Sequence, residues 1–515
     1  MNKLLYKIFL VMLFCMGGGM LKAQLNGSYT INSAVATGGT NYQTFTAAIN
    51  ALTAQGVSGP VTFDVSPTSG PYNERLVFGA ITGASATNRI RFNGNGRLVQ
   101  FAPTSTATMS LLTLNATNYV TIDSLKFQTT NTTYGWGAWI TGNSQYDSIM
   151  RCEFDLSVVT GTSSTNSNGI VIGGNVSSPT NSALGGTNNV IIGNYIKGNP
   201  SSIYGHYYSM CVSPGGNINN SIINNTFENF YVYGIYLGSV VDNIKIIGNN
   251  INRATKTSTS TFYGIYASGS MPGAVIAHNR IHTPGGTATA ASGTSYGLYA
   301  QSSAGTLAAP VLIYNNAYYN VNTLGSTYGM YFTGVTYGRI YHNTVDINRT
   351  HTGTNTEYGM YLATNSNAIF KNNNVSFTGG GLGLKYGVYY ASSASALAGQ
   401  IQRNNINMNS PQAGGQFYCY YNGSDYPTLS AFRTAVPTLE IGSMSVNPYF
   451  QNANAGNLLP TNGMLYQNGE NLLGAVPTDI LGTTRATLPT AGAWEMSSLP
   501  NNDAAMIEKV STNII

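Results

Sequence analysis

The motif Tyr-Gly-apolar-Tyr occurs six times, at residues 233–236, 263–266, 296–299, 328–331, 358–361 and 386–389, at intervals of 28 to 33 residues. Self-similarity with a period of about 20 to 50 residues marks an architecture in which each unit buries its apolar face only against its neighbours. The chain is therefore expected to stack coils and to grow by adding them, so that its 515 residues form one long body with capped ends.

Residues 233–262 write out one coil. Tyr233 to Leu237 reads as a short strand, residues 238–242 turn, residues 243–247 form a second strand, residues 248–250 turn, Ile251 lies in a third strand, and residues 253–261 loop back. Three short strands and three corners per repeat describe a triangular coil, with strands of successive coils paired in parallel about 4.8 Å apart. Helical hairpins are excluded, because the units are β-branched and aromatic and lack helical periodicity.

A second signature lies at one corner. Asn194, Asn225, Asn249, Asn279, Asn316, Asn343, Asn373 and Asn404 recur at spacings of 24 to 37 residues, each followed two positions later by Ile196, Phe227, Ile251, Ile281, Tyr318, Val345, Val375 and Ile406 respectively. An Asn at a tight corner tolerates the left-handed conformation, and stacked amides satisfy one another and the turn backbone. These eight residues are expected to form a structural ladder. The length variation is assigned to the third corner, in loops such as residues 253–261 and 283–295.

The ends of the chain read differently. Lys3 and Lys7 precede an apolar run from Ile8 to Phe14, and Leu21-Lys22-Ala23 before Gln24 has the form of an export-signal cleavage site, so residues 1–23 are expected to be a signal peptide and the protein to be secreted or displayed on the outer cell surface. The bulky Phe14 argues against lipid attachment at Cys15. No later stretch is long and apolar enough to span a bilayer. Without residues 1–23 the chain keeps 19 basic and 17 acidic side chains, which leaves nucleic-acid binding without an electrostatic basis. Cys152, Cys211 and Cys419 are an odd number, with Cys211 and Cys419 several coils apart, and are expected to be buried free thiols.

The repeated Gly-Ile-Tyr-Leu and Asn-x-Ile pattern over roughly residues 106–425 resembles the right-handed parallel β-helix proteins of the pectin-lyase-like superfamily. The fold implied is all-β, a right-handed parallel β-helix with a capping segment at each end. Residues 41–59, with Phe45, Ala48, Ile49 and Leu52 on one helical face, and the strand-like Pro60 to Val65 that follows, are similar to the entry segment of large secreted β-helix proteins of Bacteroidetes, in which a helix covers the open end. Residues 24–105 are accordingly assigned to the N-terminal cap and first coils, and residues 426–496 to a closing segment. Residues 497–515 are assigned to a linker or the start of a following module, since Asn502-Asp503-Ala504-Ala505 resembles the opening of an immunoglobulin-like domain. The chain is expected to belong to a longer surface protein; relatives of this kind end in a type IX sorting domain.

The resemblance brings polysaccharide lyases and hydrolases into view, and an enzyme must be weighed against a scaffold. A glycosidase needs two carboxylates about 5 to 10 Å apart. Among the acids of the repeats only Glu153 and Asp155 are close in sequence, two apart on one strand and so on one face, where a solvated surface is the simpler reading. A calcium-dependent lyase would need clustered acids with a basic proton acceptor, and no such cluster, metal site or cofactor motif is legible. His206, His278, His282, His342 and His351 are read as surface corner residues, because His278 and His342, two coils apart, stand about 10 Å from each other, too far to share an ion.

The tyrosines remain. Ile235 and Leu237 share one face of their strand with counterparts in every repeat, and that apolar face must point inward. Alternation then sends Tyr236, Tyr266, Tyr299, Tyr331, Tyr361 and Tyr389 outward as a stripe about 24 Å long, while the first tyrosine of each motif is expected to be a strand-end core residue. An outward ring stripe suits a flat platform for sugar faces or a protein partner, or stacks on itself and stabilises the sheet. Two functions follow: a non-catalytic adhesion or glycan-binding scaffold, with a polysaccharide or a surface protein as partner; or a polysaccharide lyase or glycoside hydrolase. The oligomeric state is not legible.

Overall fold

In the computed structural model, described over residues 23–391 and 399–500, each coil is built as its sequence dictates. The strand before the Asn corner is three or four residues of Val and Ile, as in Val190–Ile192, Ser221–Ile223 and Lys245–Ile247. Its middle residue points inward, giving the stack Ile191, Ile222, Ile246, Ile276, Ile313 and Ile340, all at most 1% exposed. Coil upon coil, these strands make three parallel sheets: the tyrosine sheet (I) of 13 strands, the sheet before the Asn corner (II) of 14, and the sheet after it (III) of 12. The molecule is a right-handed parallel β-helix, the hand that parallel crossovers require. In-register parallel pairing in sheet II runs from Val57–Val65 to Ile401–Gln402, so coils begin well before residue 106. One continuous apolar core fills the interior from Leu25 to Leu439.

Both ends are covered. Helix α1 (Phe45–Gln55) closes the N-terminal end with Phe45, Ala48, Ile49 and Leu52 buried, Phe45 meeting Tyr72 edge to face at 4.9 Å. Thr44 caps it, and Glu74 accepts from the Phe45 and Thr46 backbone at 3.2 and 2.7 Å, satisfying amides that the helix itself leaves free. At the other end an antiparallel strand pair, Gln416–Tyr421 with Ser424–Tyr426, is followed by helix α2 (Leu429–Ala435), whose Phe432 packs on Tyr390, Tyr421 and Tyr426. Such caps remove exposed strand edges.

The remainder of the segment takes a different course. Residues 446–496 run back along the outer face of sheet III: Asn405 donates to the Val446 carbonyl, Asn372 to that of Glu470 and Asn315 to that of Thr478, at 2.7 to 2.9 Å. Trp494 is buried with Leu458, Ala493, Ala317 and Tyr319 in a second apolar cluster. Length variation also differs from expectation. From Asp123 onward the second corner is two residues, whereas the first corner varies as well as the third, as residues 173–189 show. Residues 1–22 of the expected signal peptide and residues 501–515 lie outside the described residues.

Candidate functional site

The Tyr-Gly-x-Tyr strands break the alternation that a strand would otherwise impose. In Phe262–Ser270, Ser295–Ala304, Thr327–Thr333 and Glu357–Ala363 the same burial pattern recurs: the glycine and the apolar residue after it are both buried, while the tyrosines on either side are half-buried. Two consecutive inward residues depart from the alternation of an extended strand, and they recur coil after coil with no shift of register at the glycine. The glycine is required there: a Cβ on Gly329 would lie 2.5 Å from Val345 and 2.6 Å from the Gly359 carbonyl. Both tyrosines therefore face outward. This corrects the expectation that the first belongs to the core; only Tyr386 among the six first tyrosines is fully buried.

The result is two parallel rows of rings. In the first, Tyr208, Tyr233, Tyr263, Tyr296, Tyr328 and Tyr358 stack with centroids 4.7 to 4.9 Å apart, and Tyr386 and Phe417 continue the row at 5.8 and 5.3 Å. In the second, Tyr236, Tyr266, Tyr299, Tyr331, Tyr361, Tyr389 and Tyr420 stack at 4.4 to 5.3 Å with planes within 14°. The rows meet edge to face within each coil at 5.1 to 5.7 Å. Each such pair contributes about 0.5–1.5 kcal/mol beyond area burial. Because the rings of the second row stack along the solenoid axis, interior rings have no free face. What the row, about 29 Å long, offers outward is ring edges and hydroxyls. Burial pushes the Tyr236 and Tyr389 phenols up to about 12, so they stay protonated donors, and Gln301 already accepts from Tyr266 and Tyr299 at 3.1 and 3.2 Å.

At the second corner each ladder Asn accepts, through Oδ1, the backbone and side-chain amides of the Asn one coil earlier. Asn194 donates to Asn225, Asn225 to Asn249, Asn249 to Asn279, Asn279 to Asn316, Asn316 to Asn343, Asn343 to Asn373 and Asn373 to Asn404, every bond at 2.9 to 3.1 Å. All eight are buried. The ladder starts at Cys152, whose N–H donates to Asn194, and ends at Ser443, whose hydroxyl accepts from the Asn404 N–H and donates to the buried carboxyl of Glu440. The left-handed residue is the one before each Asn: φ is 52° at Asn224, 59° at His278, 52° at Asn315 and 53° at His342.

Two of the five histidines, His206 and His342, are fully buried rather than at the surface, while His278, His282 and His351 are partly exposed. His342 is fully buried under residues 446–496, accepting from Asn372 at 2.9 Å and facing the Gly492 carbonyl at 3.3 Å. His206 is fully buried beside Ser209, and burial pulls it down to about 3. His351 faces the buried Glu357 at 3.0 Å. Among the described residues no three His, Cys, Asp or Glu side chains gather as a metal site, and no helix is long and apolar enough to cross a membrane.

Glu153 and Asp155 do share the outer face of sheet III, and register brings them partners that the sequence concealed. Lys126, Glu153 and Tyr195 are neighbours on successive coils, as are Gln128, Asp155, Lys197 and Glu228. Lys126 lies 3.6 Å from Glu153 and Lys197 3.7 Å from Asp155, while the Tyr195 hydroxyl donates to Glu228. No motif flags this group, because its members are separated by loops of unequal length.

No family model and no curated protein matches this sequence. Among solved structures it is similar to PfbA, a surface adhesin of Streptococcus pneumoniae, at 11% identity over 74% of this chain and 89% of that one, TM-score 0.37. A mannuronic acid specific polysaccharide family 6 lyase from human gut microbiota is similar at 10% identity over 83% and 93%, TM-score 0.39. The catalytic unit of an alpha-1,3-glucanase from Streptomyces thermodiastaticus is similar at 12% over 78% and 70%, TM-score 0.35. At these identities the likeness carries nothing about ligand or activity.

Proposed function

We propose that this chain is a secreted or cell-surface adhesion scaffold without catalytic activity, whose tyrosine sheet contacts a polysaccharide or a surface protein. The observation that carries the reading is the double tyrosine row itself, an uncharged, half-buried surface with a rank of hydroxyls repeated at coil spacing. With ring faces consumed by stacking, contact falls to ring edges and hydroxyls, which combine apolar area with a hydrogen-bonding tip. A partner presenting hydroxyls or amides at a repeat near 4.8 Å or a multiple of it would meet many tyrosines at once.

A glycan array and a polysaccharide-cleavage screen on the chain and on Tyr299→Ala, Tyr331→Ala and Tyr331→Phe test this. Binding without cleavage is expected, weakened at least tenfold by either alanine. Tyr331→Phe, which keeps the stack and removes one hydroxyl, should weaken binding while leaving thermal stability unchanged. Binding that survives both alanine changes would sink the tyrosine reading. Cleavage of any polysaccharide would favour the lyase or hydrolase alternative, for which Glu153, Asp155 and Glu228 are the acids at hand.

A further inference from the structure

The outer face of sheet III has two halves of opposite character. From Arg280 onward it lies beneath residues 446–496, with Arg280 over the Trp494 ring at 5.2 Å and donating to the Gly456 carbonyl. Before Arg280 it is open and ionic. In a chain with only 8% charged residues, Lys126, Glu153, Asp155, Lys197 and Glu228 fall on four successive coils of this one face. The side chains of Lys126, Glu153 and Lys197 are 55%, 31% and 38% exposed.

A cleft of about 250 Å³ opens where this face meets the second corner, lined by Lys126, Arg151, Glu153 and Tyr195. Its origin is in the corner residues. Gly96 and Gly193 stand at the rim with φ of 71° and 67° and leave room, whereas the two corners between them carry Ser124 and Arg151, the latter held in place by its ion pair with the buried Asp123. Carboxylate and ammonium are 3.6 to 3.7 Å apart in both ion pairs, wider than a direct hydrogen bond and weak at such exposure. A hydroxyl can therefore insert, accepting from the ammonium and donating to the carboxylate. The Tyr195 ring supplies an apolar wall. Lys126, Arg151 and Lys197 are each already paired with a carboxylate, so a uronate would have to displace one of these acids, and the chemistry selects an uncharged polyol.

We infer that the corner cleft and the adjoining ionic face of sheet III form a binding subsite for a neutral, hydroxyl-rich glycan, independent of the tyrosine rows.

The test is calorimetric titration of the full chain and of Glu153→Gln, Lys126→Met and Tyr331→Ala with maltohexaose, cellohexaose, laminarihexaose, mannohexaose and hexagalacturonate. Binding of at least one neutral hexasaccharide is expected, weakened tenfold or more by Glu153→Gln and by Lys126→Met and unchanged by Tyr331→Ala. Both substitutions are at exposed side chains, and unaltered thermal unfolding verifies that the fold persists. Binding that Glu153→Gln and Lys126→Met leave intact, preference for hexagalacturonate, or no binding to any of the five sugars overturns the subsite. Loss in Tyr331→Ala alone overturns it too, while leaving the tyrosine reading standing.

Discussion

Asp346 sits on the outer side of sheet III, beside Ser376 in register, fully buried, and neither carboxyl oxygen has a hydrogen-bond partner. Burial pushes its pKa up to about 8, so the folded chain holds a proton that the unfolded chain releases near its ordinary value of 3.8. A group raised in this way contributes stability that is complete below the unfolded value and is lost as pH climbs through the folded one. Asp147 acts in the same sense, burial lifting it to about 7 against the bonds it accepts from Thr117 and Val120. His206 and His282, pulled down to about 3 and about 4 by burial, act in the opposite sense below their ordinary 6.5. The clean observable is thus a difference. Asp346→Asn should gain stability relative to the parent as pH rises from about 5 to about 8, read from urea midpoints of the two proteins at each pH. A constant offset would contradict the assignment.

At the scale of the element, the Tyr-Gly-x-Tyr strand is the unit that gives the tyrosine sheet its outer surface. Its glycine has no substitute, since an added methyl at Gly329 meets the Gly359 backbone and Val345 of sheet III. Gly329→Ala is expected to cost about 1–3 kcal/mol by overpacking and to disturb the Tyr328–Tyr331 edge-to-face pair, visible as a change in near-ultraviolet circular dichroism with little change in the far ultraviolet. The strand, the corner Asn and the inward apolar residues were all legible, because each recurs with its neighbours in fixed sequence order. The broken alternation was not. Strict alternation places Tyr233 with Ile235, and only backbone geometry at the glycine reverses that. His342 was misread for a related reason: its burial comes from Gly492, 150 residues away, along a segment with no repeat to set its register.

Over the whole molecule, stability is distributed coil by coil, because each unit contacts mainly its neighbours. The segment 446–496 is the exception, fastened across several coils through Trp494 and through the buried Arg485, which pairs with Glu495 at 2.9 Å and donates to Asn315 at 2.7 Å. Trp494→Ala should cost about 3–5 kcal/mol, and the loss should be local: hydrogen exchange is expected to speed up in residues 446–496 and around Tyr319 while the sheet II core keeps its protection. A uniform loss of protection would show that the segment and solenoid unfold as one. The long-range placement of this segment and the ionic corner at Lys126 and Glu153 were illegible together, since both depend on how loops of unequal length bring coils into register. The Asn ladder spans this same length with every amide pointing one way, its oxygen toward the N-terminal end and its NH2 toward the C-terminal end. Aligned side-chain amides add as peptide dipoles do in a helix, so the solenoid carries a row of eight dipoles with its positive pole at Asn404. Asn404 directs its amide to the carboxyl of Glu440 at 3.4 Å. The ladder thus closes on an acceptor that complements its pole, and the coil stack has an electrical head and tail as well as two capped ends.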